Sequence, residues 1–137
     1  MGSFNHDLSP AHPAIVWLDN RSVGEVEELA GKIGEVRFHE ITGKPKDVTP
    51  GHSRILWLKK NRPEMMQDAP KILDVNAYLT ARLTGEATTS WASADPSGVF
   101  DIEKKQWSGT VLDAIGVVSE QFAKPVAPGT LIGEILP

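Results

Sequence analysis

Cysteine is absent from the 137 residues of this sequence. Disulfides, thiolate zinc sites and cysteine nucleophiles are therefore excluded, although the absence of cysteine does not by itself identify the compartment. Apolar runs are also short, and none approaches the roughly 18 residues that a membrane-spanning helix needs, so no membrane partner is expected. The opening letters MGSFNHDLSP contain neither a basic nor an apolar segment and do not form a secretory signal.

Positive charge is scarce as well, since 18 acidic residues outnumber 14 basic ones and the net charge is −4. Nucleic acid is not an expected partner, because phosphate backbones are bound by basic surfaces. None of the four histidines has a partner at metal-ligand spacing, so no metal site is expected. A hydrophobic fraction of 40% with 23% charged residues is typical of one globular domain.

The order of patterns predicts an α/β fold (α+β if the strands are mainly antiparallel), with about four helices and four or five short strands. Residues 1–12 are rich in loop formers and are predicted to be irregular, which leaves 13–137 as the folded domain. The alternation of Val36, Phe38 and Ile41 is typical of a strand facing a core. Further strands are expected at 14–17, 71–75, 88–91, 99–102 and 130–136.

Two helices are expected in the first half of the chain. Ser22 and Glu25 form a capping-box pattern before the first helix. Thr49 is a good N-cap for the second helix, and Pro50 is a good first residue. Arg54 and the basic residues after it are expected to form the solvated face of this second helix rather than a polyanion site.

Two more helices are expected in the second half. Asn76 is predicted to cap the third helix and Gly85 to end it, while Ser108 caps the fourth. Apolar residues on the inner faces of these elements form the predicted core. That core comprises Ile15, Val16, Trp17, Val26, Leu29, Ile33, Ile55, Leu56, Leu58, Ile72, Leu73, Val75, Tyr78, Leu79, Leu83, Val99, Phe100, Trp107, Leu112 and Ile115.

A candidate binding site follows the first predicted strand, where the chain reads Trp17, Leu18, Asp19, Asn20 and Arg21. Ligands of α/β sheets bind beyond the carboxyl ends of strands. The tryptophan ring could stack on the apolar face of a sugar while the charged side chains bond to hydroxyls. The alternative is a core tryptophan beside an exposed ion pair, and the residues alone leave both interpretations open.

The stretch from 71 to 107 contains a denser pattern, which begins Y-L-x-x-x-L-T-G-E-x-x-T and ends in W-S. It resembles the FGGY carbohydrate kinase family, whose passage reads D-Y-L-x-x-x-L-T-G-E-x-x-T-D-x-S-x-A-S-G followed by D-x-x-x-x-x-W-S. The chain departs from this pattern at Asn76, Ala77 and Ser90, and the turn over 95–98 is shifted in register. The matching residues are Tyr78, Leu79, Leu83, Thr84, Gly85, Glu86, Thr89, Ala94, Asp101, Trp107 and Ser108.

The resemblance extends to W-x-D-x-R at Trp17 and to the L-W-L passage of the second helix. It implies a part of the N-terminal, sugar-binding domain of a xylulokinase-like kinase, with a partial ribonuclease H-like (actin-like ATPase) fold. By the same resemblance Trp17 and Thr49 (or its neighbour Pro50) belong to the sugar pocket, and Asp19 and Arg21 are further substrate-binding candidates. The implied substrate is a pentulose such as xylulose, or a related sugar or polyol.

The resemblance also implies that the whole kinase uses ATP and Mg in the cytoplasm. The family's phosphate loops and catalytic aspartate find no match in these residues, so no catalytic residue is assigned and the chain alone is expected to be inactive. The alternative is a non-catalytic truncated module that self-associates through exposed sheet edges, or binds a protein partner. A hydrolase is disfavoured, because there is no G-x-S-x-G passage.

Overall fold

The computed structural model describes residues 1–67 and 70–137. Within these ranges the chain forms six α-helices, three 3-10 helices and six short strands, so it contains more helix than predicted. None of the described helices is long and apolar enough to cross a membrane. The helices are α1 (Val23–Ile33), α2 (Glu35–Thr42), α3 (His52–Asn61), α4 (Val75–Thr84), α5 (Trp91–Ala94) and α6 (Gly109–Ile115), with 3-10 turns at Pro63–Met66, Asp95–Ser97 and Ser119–Gln121.

The described strands pair two by two. Strand β1 is antiparallel to β2, β3 is parallel to β6, and β4 forms an antiparallel hairpin with β5. A parallel bridge between Ile72 and Phe122 joins the first pair to the second, so the segment 122–126 runs between β2 and β3. The strands are β1 (Gly2–Phe4), β2 (Lys71–Leu73), β3 (Thr88–Ser90), β4 (Phe100–Asp101), β5 (Gln106–Trp107) and β6 (Lys124–Val126).

The N-terminal segment differs from the prediction. Residues 2–4 form strand β1 instead of an irregular segment, and Ser3 is buried. The Phe4 ring stacks on Tyr78 of α4 with 4.8 Å between ring centroids, which explains why so short a strand is held in place. Residues 14–17 are not a strand, although Ile15 is buried as predicted. The C-terminal residues 130–136 likewise form no strand.

Helix α2 replaces the strand that was predicted around Phe38. The side chains of Phe38 and Ile41 are buried at helical spacing, whereas Val36 is 75% exposed. The Thr42 hydroxyl donates to the Phe38 carbonyl (2.8 Å), and Gly43 ends the helix in the left-handed region at φ 68°. The prediction was wrong because it gave weight to the two-residue spacing of Val36 and Phe38, whereas Phe38 and Ile41 are three residues apart and share a face only in a helix.

Two predicted N-caps are wrong, and a third stands at the predicted position without its capping hydrogen bond. Asp74, not Asn76, caps α4 by accepting a hydrogen bond from the Ala77 N–H (2.8 Å). Helix α3 begins at His52, beyond Thr49. Ser22 precedes α1 but makes no capping bond, because its hydroxyl pairs with a buried hydroxyl of α3 instead.

Two local signals were correct. The Ser108 side chain caps α6 by accepting from Val111 N–H, and Gly85 ends α4 in the left-handed conformation. Ser22 and Ser53 lie 3.0 Å apart at their hydroxyl oxygens and tie the start of α1 to α3. This buried hydrogen bond therefore connects α1 to α3, and no pattern of neighbouring residues in the sequence indicates it.

The core lies where α1, α2, α3 and α6 meet, with β2 and β4 beside them. Five residues of the predicted core are instead at least 50% exposed: Val16, Trp17, Val75, Leu79 and Leu83. Helix α4 buries Ala77 and Ala81 against the strands, since only small side chains fit that close contact, and its larger side chains point outward. The main core cluster comprises Leu29, Phe38, Ile41, Ile55, Leu56, Ile72, Val99, Val111, Leu112, Ile115, Val117 and Phe122.

The helical form of α2 predicts unequal effects for two nearby substitutions. We expect Phe38→Ala to lower the free energy of unfolding by about 3–5 kcal/mol, because it leaves a cavity in the core. Val36→Ala on the exposed face should change it by less than about 0.5 kcal/mol. Urea unfolding followed by circular dichroism measures both values. Equal losses would contradict the helix, since positions 36 and 38 share a face only in a strand.

Candidate functional site

A cleft of about 810 Å³ lies where three parts of the chain meet: the segment 14–17, the loop 44–51, and the beginnings of α4 and the short helices near 93–97. Its surface is mostly apolar, with a few polar and charged groups among the apolar ones. The cleft is lined by Met1, Ala14, Ile15, Val16, Trp17, Lys44, Pro45, Asp47, Thr49, Pro50, Gly51, Arg54, Asp74, Val75, Ser93, Pro96 and Ser97.

Trp17 lines this cleft, and 64% of the residue is exposed. The alternative interpretation of a core tryptophan is therefore wrong. Its carbonyl oxygen accepts a hydrogen bond from the Arg54 guanidinium (2.8 Å), which holds the backbone while the ring remains open to solvent. An exposed, anchored indole ring is well suited to stacking on the C–H face of a ligand.

Asp19 and Arg21 are paired with each other. The Arg21 guanidinium donates to both carboxylate oxygens of Asp19 (2.8 and 2.7 Å), and this hydrogen bonding lowers the pKa of Asp19 to about 2. The same guanidinium lies 4.8 Å above the Trp57 ring. Neither Asp19 nor Arg21 is among the described residues that line the cleft. Direct contact of these two side chains with a sugar stays a prediction.

Thr49 also lines the cleft, in a tight turn with Asp47. Both the backbone N–H and the hydroxyl of Thr49 donate to one carboxylate oxygen of Asp47. Because the hydroxyl hydrogen of Thr49 is already engaged in the bond to Asp47, the hydroxyl oxygen can only accept a hydrogen bond from a ligand. The hydrogen bond from Thr49 lowers the pKa of Asp47, which therefore presents a carboxylate to the cleft.

Asp47 is a site residue that the sequence interpretation missed. An aspartate two positions before a threonine is typical of a side-chain turn, and that local pattern could have revealed it. A carboxylate is a stronger acceptor for sugar hydroxyls than a threonine oxygen.

Arg54 is the second missed residue, and it was expected on a solvated face. It is only 5% exposed, and its Nη2 donates to the carbonyl oxygens of Trp17 (2.8 Å), Val48 (3.0 Å) and Thr49 (2.8 Å). Burial lowers the pKa of the guanidinium, and the negative charges of Asp19 and Asp47 partly offset that effect. No periodic pattern identifies such a residue, because its partners are backbone atoms far from it in sequence.

The remaining wall is fixed by two acidic residues. Asp74 accepts from the Thr89 hydroxyl (2.8 Å) as well as capping α4, so it joins the helix to β3. Lys44 forms an ion pair with Asp95 and connects the loop 44–51 to the 3-10 turn at Asp95–Ser97. Both acidic residues are thus already engaged in the structure.

His52 lies directly behind the cleft at the start of α3. It is 2% exposed, its ring packs on Phe38 at 4.6 Å between centroids, and its Nδ1 has no hydrogen-bond partner among the described residues. Burial, and to a lesser extent the positive charge of Arg54, lower the pKa of His52 to about 4. This histidine is therefore neutral at pH 7 and belongs to the packing of the site.

Known proteins that resemble this chain include xylulose kinases and glycerol kinases. Residues 3–137 match the family described as the N-terminal domain of the FGGY family of carbohydrate kinases. A xylulose kinase of Lactococcus lactis subsp. lactis (strain IL1403) is 36% identical over 108 residues, covering 79% of this chain and 21% of that kinase. A glycerol kinase of Thermococcus onnurineus (strain NA1) is 36% identical over 112 residues, covering 79% and 22%.

The fold is similar to that of solved kinases. The crystal structure of ligand-bound xylulose kinase from Lactobacillus acidophilus matches with a TM-score of 0.88 and 25% identity, covering 98% of this chain and 27% of that chain. The chain thus spans about a quarter of the length of the relatives it matches.

The buried His52 predicts a pH dependence of stability. Its pKa is about 4 in the folded chain and about 6.5 when unfolded, so between these values the unfolded state binds the additional proton. The free energy of unfolding should therefore decrease by about 2 kcal/mol between pH 7 and pH 5.

Urea unfolding at both pH values measures this effect. His52→Gln should remove most of the difference, whereas His39→Gln, which changes an exposed histidine of α2, should keep it. If the His52→Gln protein loses as much stability on acidification as the original chain, the buried neutral histidine is not the cause.

Proposed function

Because this chain belongs to the FGGY family of carbohydrate kinases, we propose that its cleft forms one wall of the sugar pocket of an ATP-dependent, cytoplasmic sugar kinase. Its fold is that of part of an actin-like ATPase domain. One observation carries the proposal: the exposed ring of Trp17 and the acceptor pair of Asp47 and Thr49 line the same apolar cleft.

These groups divide the recognition of a sugar between them. The indole ring of Trp17 stacks on the C–H face, which is the apolar side of a pentulose or polyol. Asp47 and the Thr49 oxygen accept hydrogen bonds from hydroxyls on the other side of the cleft. Asp19 and Arg21 close the turn after Trp17 and reach the sugar only when their mutual ion pair opens. A pentulose such as xylulose is the proposed substrate class.

No residue of this chain is assigned to the binding of ATP or Mg. No group of three or more carboxylate or imidazole side chains in the described ranges could hold a metal ion. The sequence contains no glycine-rich phosphate cradle either, and phosphoryl transfer needs such groups together with a positioned base. We therefore assign this chain a share in sugar binding and derive no transfer step from it.

A non-catalytic module is a second candidate, favoured by an apolar stripe on α4. Val75, Leu79 and Leu83 recur every four residues on that helix and are 71%, 51% and 50% exposed. Exposed apolar stripes of this kind commonly mark contacts between proteins. On this reading the chain associates with itself or with a protein partner through α4.

Sugar binding by the purified chain tests the first proposal. A thermal melt with a panel of pentuloses, hexuloses and polyols should show stabilisation by at least one sugar, about 2.7 kcal/mol at 100 times its dissociation constant. Trp17→Ala should weaken that sugar's binding roughly tenfold, because a stacking ring contributes about 1 kcal/mol or more.

The matched control is Trp91→Ala, which removes a half-buried tryptophan outside the cleft lining and should leave binding unchanged. A cooperative melt that no sugar shifts would contradict the sugar-binding proposal. If that chain also dimerised in light scattering, the second candidate would be favoured.

The missing phosphate-binding groups lead to a further expectation. The purified chain should transfer no phosphate from ATP to any sugar of the panel, because positioning groups for both the metal and the transferred phosphoryl group are absent from its sequence. A coupled assay for ADP release measures this, with an intact xylulose kinase as the positive control. Sugar-dependent ADP release that copurifies with the chain would refute the expectation.

A further inference from the structure

We propose that Arg54 is a positioning residue of the sugar site, and this inference rests on the proposed function. Its guanidinium holds the backbone of Trp17 against the loop 47–50. It thereby sets the separation between the stacking ring on one wall of the cleft and the hydroxyl acceptors Asp47 and Thr49 on the other. Arg54 need not touch the sugar to fulfil this role.

The hydrogen bonds of Arg54 carry the argument. A single nitrogen, Nη2, donates to the carbonyl oxygens of Trp17, Val48 and Thr49 at 2.8 to 3.0 Å. Because this nitrogen has only two protons, the three oxygens must share them. In the part of the chain that the structure describes, these are the hydrogen bonds that join the segment 14–18 to the loop 47–50.

The buried charge of Arg54 also supports a role in the site. The residue is 5% exposed, and its Nε has no hydrogen-bond partner among the described residues. Its nearest negative charges, Asp19 and Asp47, act on it through space, while each accepts hydrogen bonds from its own neighbours. Burying a cation without a bonded carboxylate is costly. Local arrangements that lower stability in this way are found preferentially at functional sites.

The consequence for binding follows from the loss of this connection. Neither the segment 14–17 nor the loop 47–50 belongs to a helix or strand, so their relative position is not fixed by regular structure. Without Arg54, a sugar would have to order both segments as it bound, and that cost in entropy weakens affinity. With Arg54 in place, the two walls are arranged before the sugar arrives.

The test follows the Trp17 ring directly. The chain has four tryptophans, so labelling with 5-fluorotryptophan gives four fluorine resonances, which tryptophan-to-phenylalanine variants assign. In Arg54→Met we expect the Trp17 resonance to narrow and to move toward the position of the free amino acid. The resonances of Trp91 and Trp107 should stay in place. Arg54→Lys should give an intermediate shift, because an ammonium lacks the planar fork of a guanidinium.

The matched control is Arg62→Met, which changes an exposed arginine at the end of α3 and should leave all four resonances unchanged. If Arg54→Met does not fold, Arg54→Lys decides. If either variant folds and its Trp17 resonance stays in place, the proposal is overturned.

Sugar titrations separate this proposal from the proposed function. If the original chain binds a sugar, folded Arg54→Lys should raise its dissociation constant roughly tenfold while Arg62→Met leaves it unchanged. An unaltered dissociation constant in Arg54→Lys would overturn the positioning role. If the original chain binds no sugar, the proposed function fails, and the fluorine spectra still establish whether Arg54 holds Trp17.

Discussion

The cleft depends on one buried cation. The Arg54 guanidinium binds carbonyl oxygens of two segments that have no regular secondary structure of their own, and these segments are the walls of the site. The same positive charge contributes to the lowered pKa values of Asp19, Asp47 and His52. The side chain that connects the two walls of the cleft is thus also a minor contributor to the electrostatics of the groups around it.

Features encoded by neighbouring residues could be predicted. The cap at Ser108, the left-handed end of α4 at Gly85, and strands β2 and β3 all follow from short-range chemistry, and all are present. The combination of short motifs between residues 71 and 108, together with the passages at Trp17 and in α3, indicated the family that the comparisons show. Of the residues proposed for the candidate site, Trp17 and Thr49 line one cleft, and their contact with a sugar stays a prediction.

Features that depend on distant atoms could not be predicted. In the sequence, Arg54 is one basic residue in a helix that also contains basic lysines after it. Only its three carbonyl partners in the folded chain distinguish it from them. The outward-facing Leu79 was assigned to the core because hydrophobicity does not show that alanines occupy the close contact with the strands. In α2, the spacing of Val36 and Phe38 suggested a strand, but packing against α1 and β4 buries Phe38 and Ile41 at helical spacing and leaves Val36 exposed.

The segment 122–126 has a bearing on how the chain folds. It lies between β2 and β3, and the Gln121 side chain reaches the Pro70 carbonyl across 51 positions of sequence. Strands β2 and β3 therefore leave the ribosome well before the strand that separates them. Helix α4 can form early from local contacts, whereas closure of the sheet waits for this long-range pairing. During that interval the open strand edges are free to pair with other chains, so this stage of synthesis is the one most exposed to aggregation.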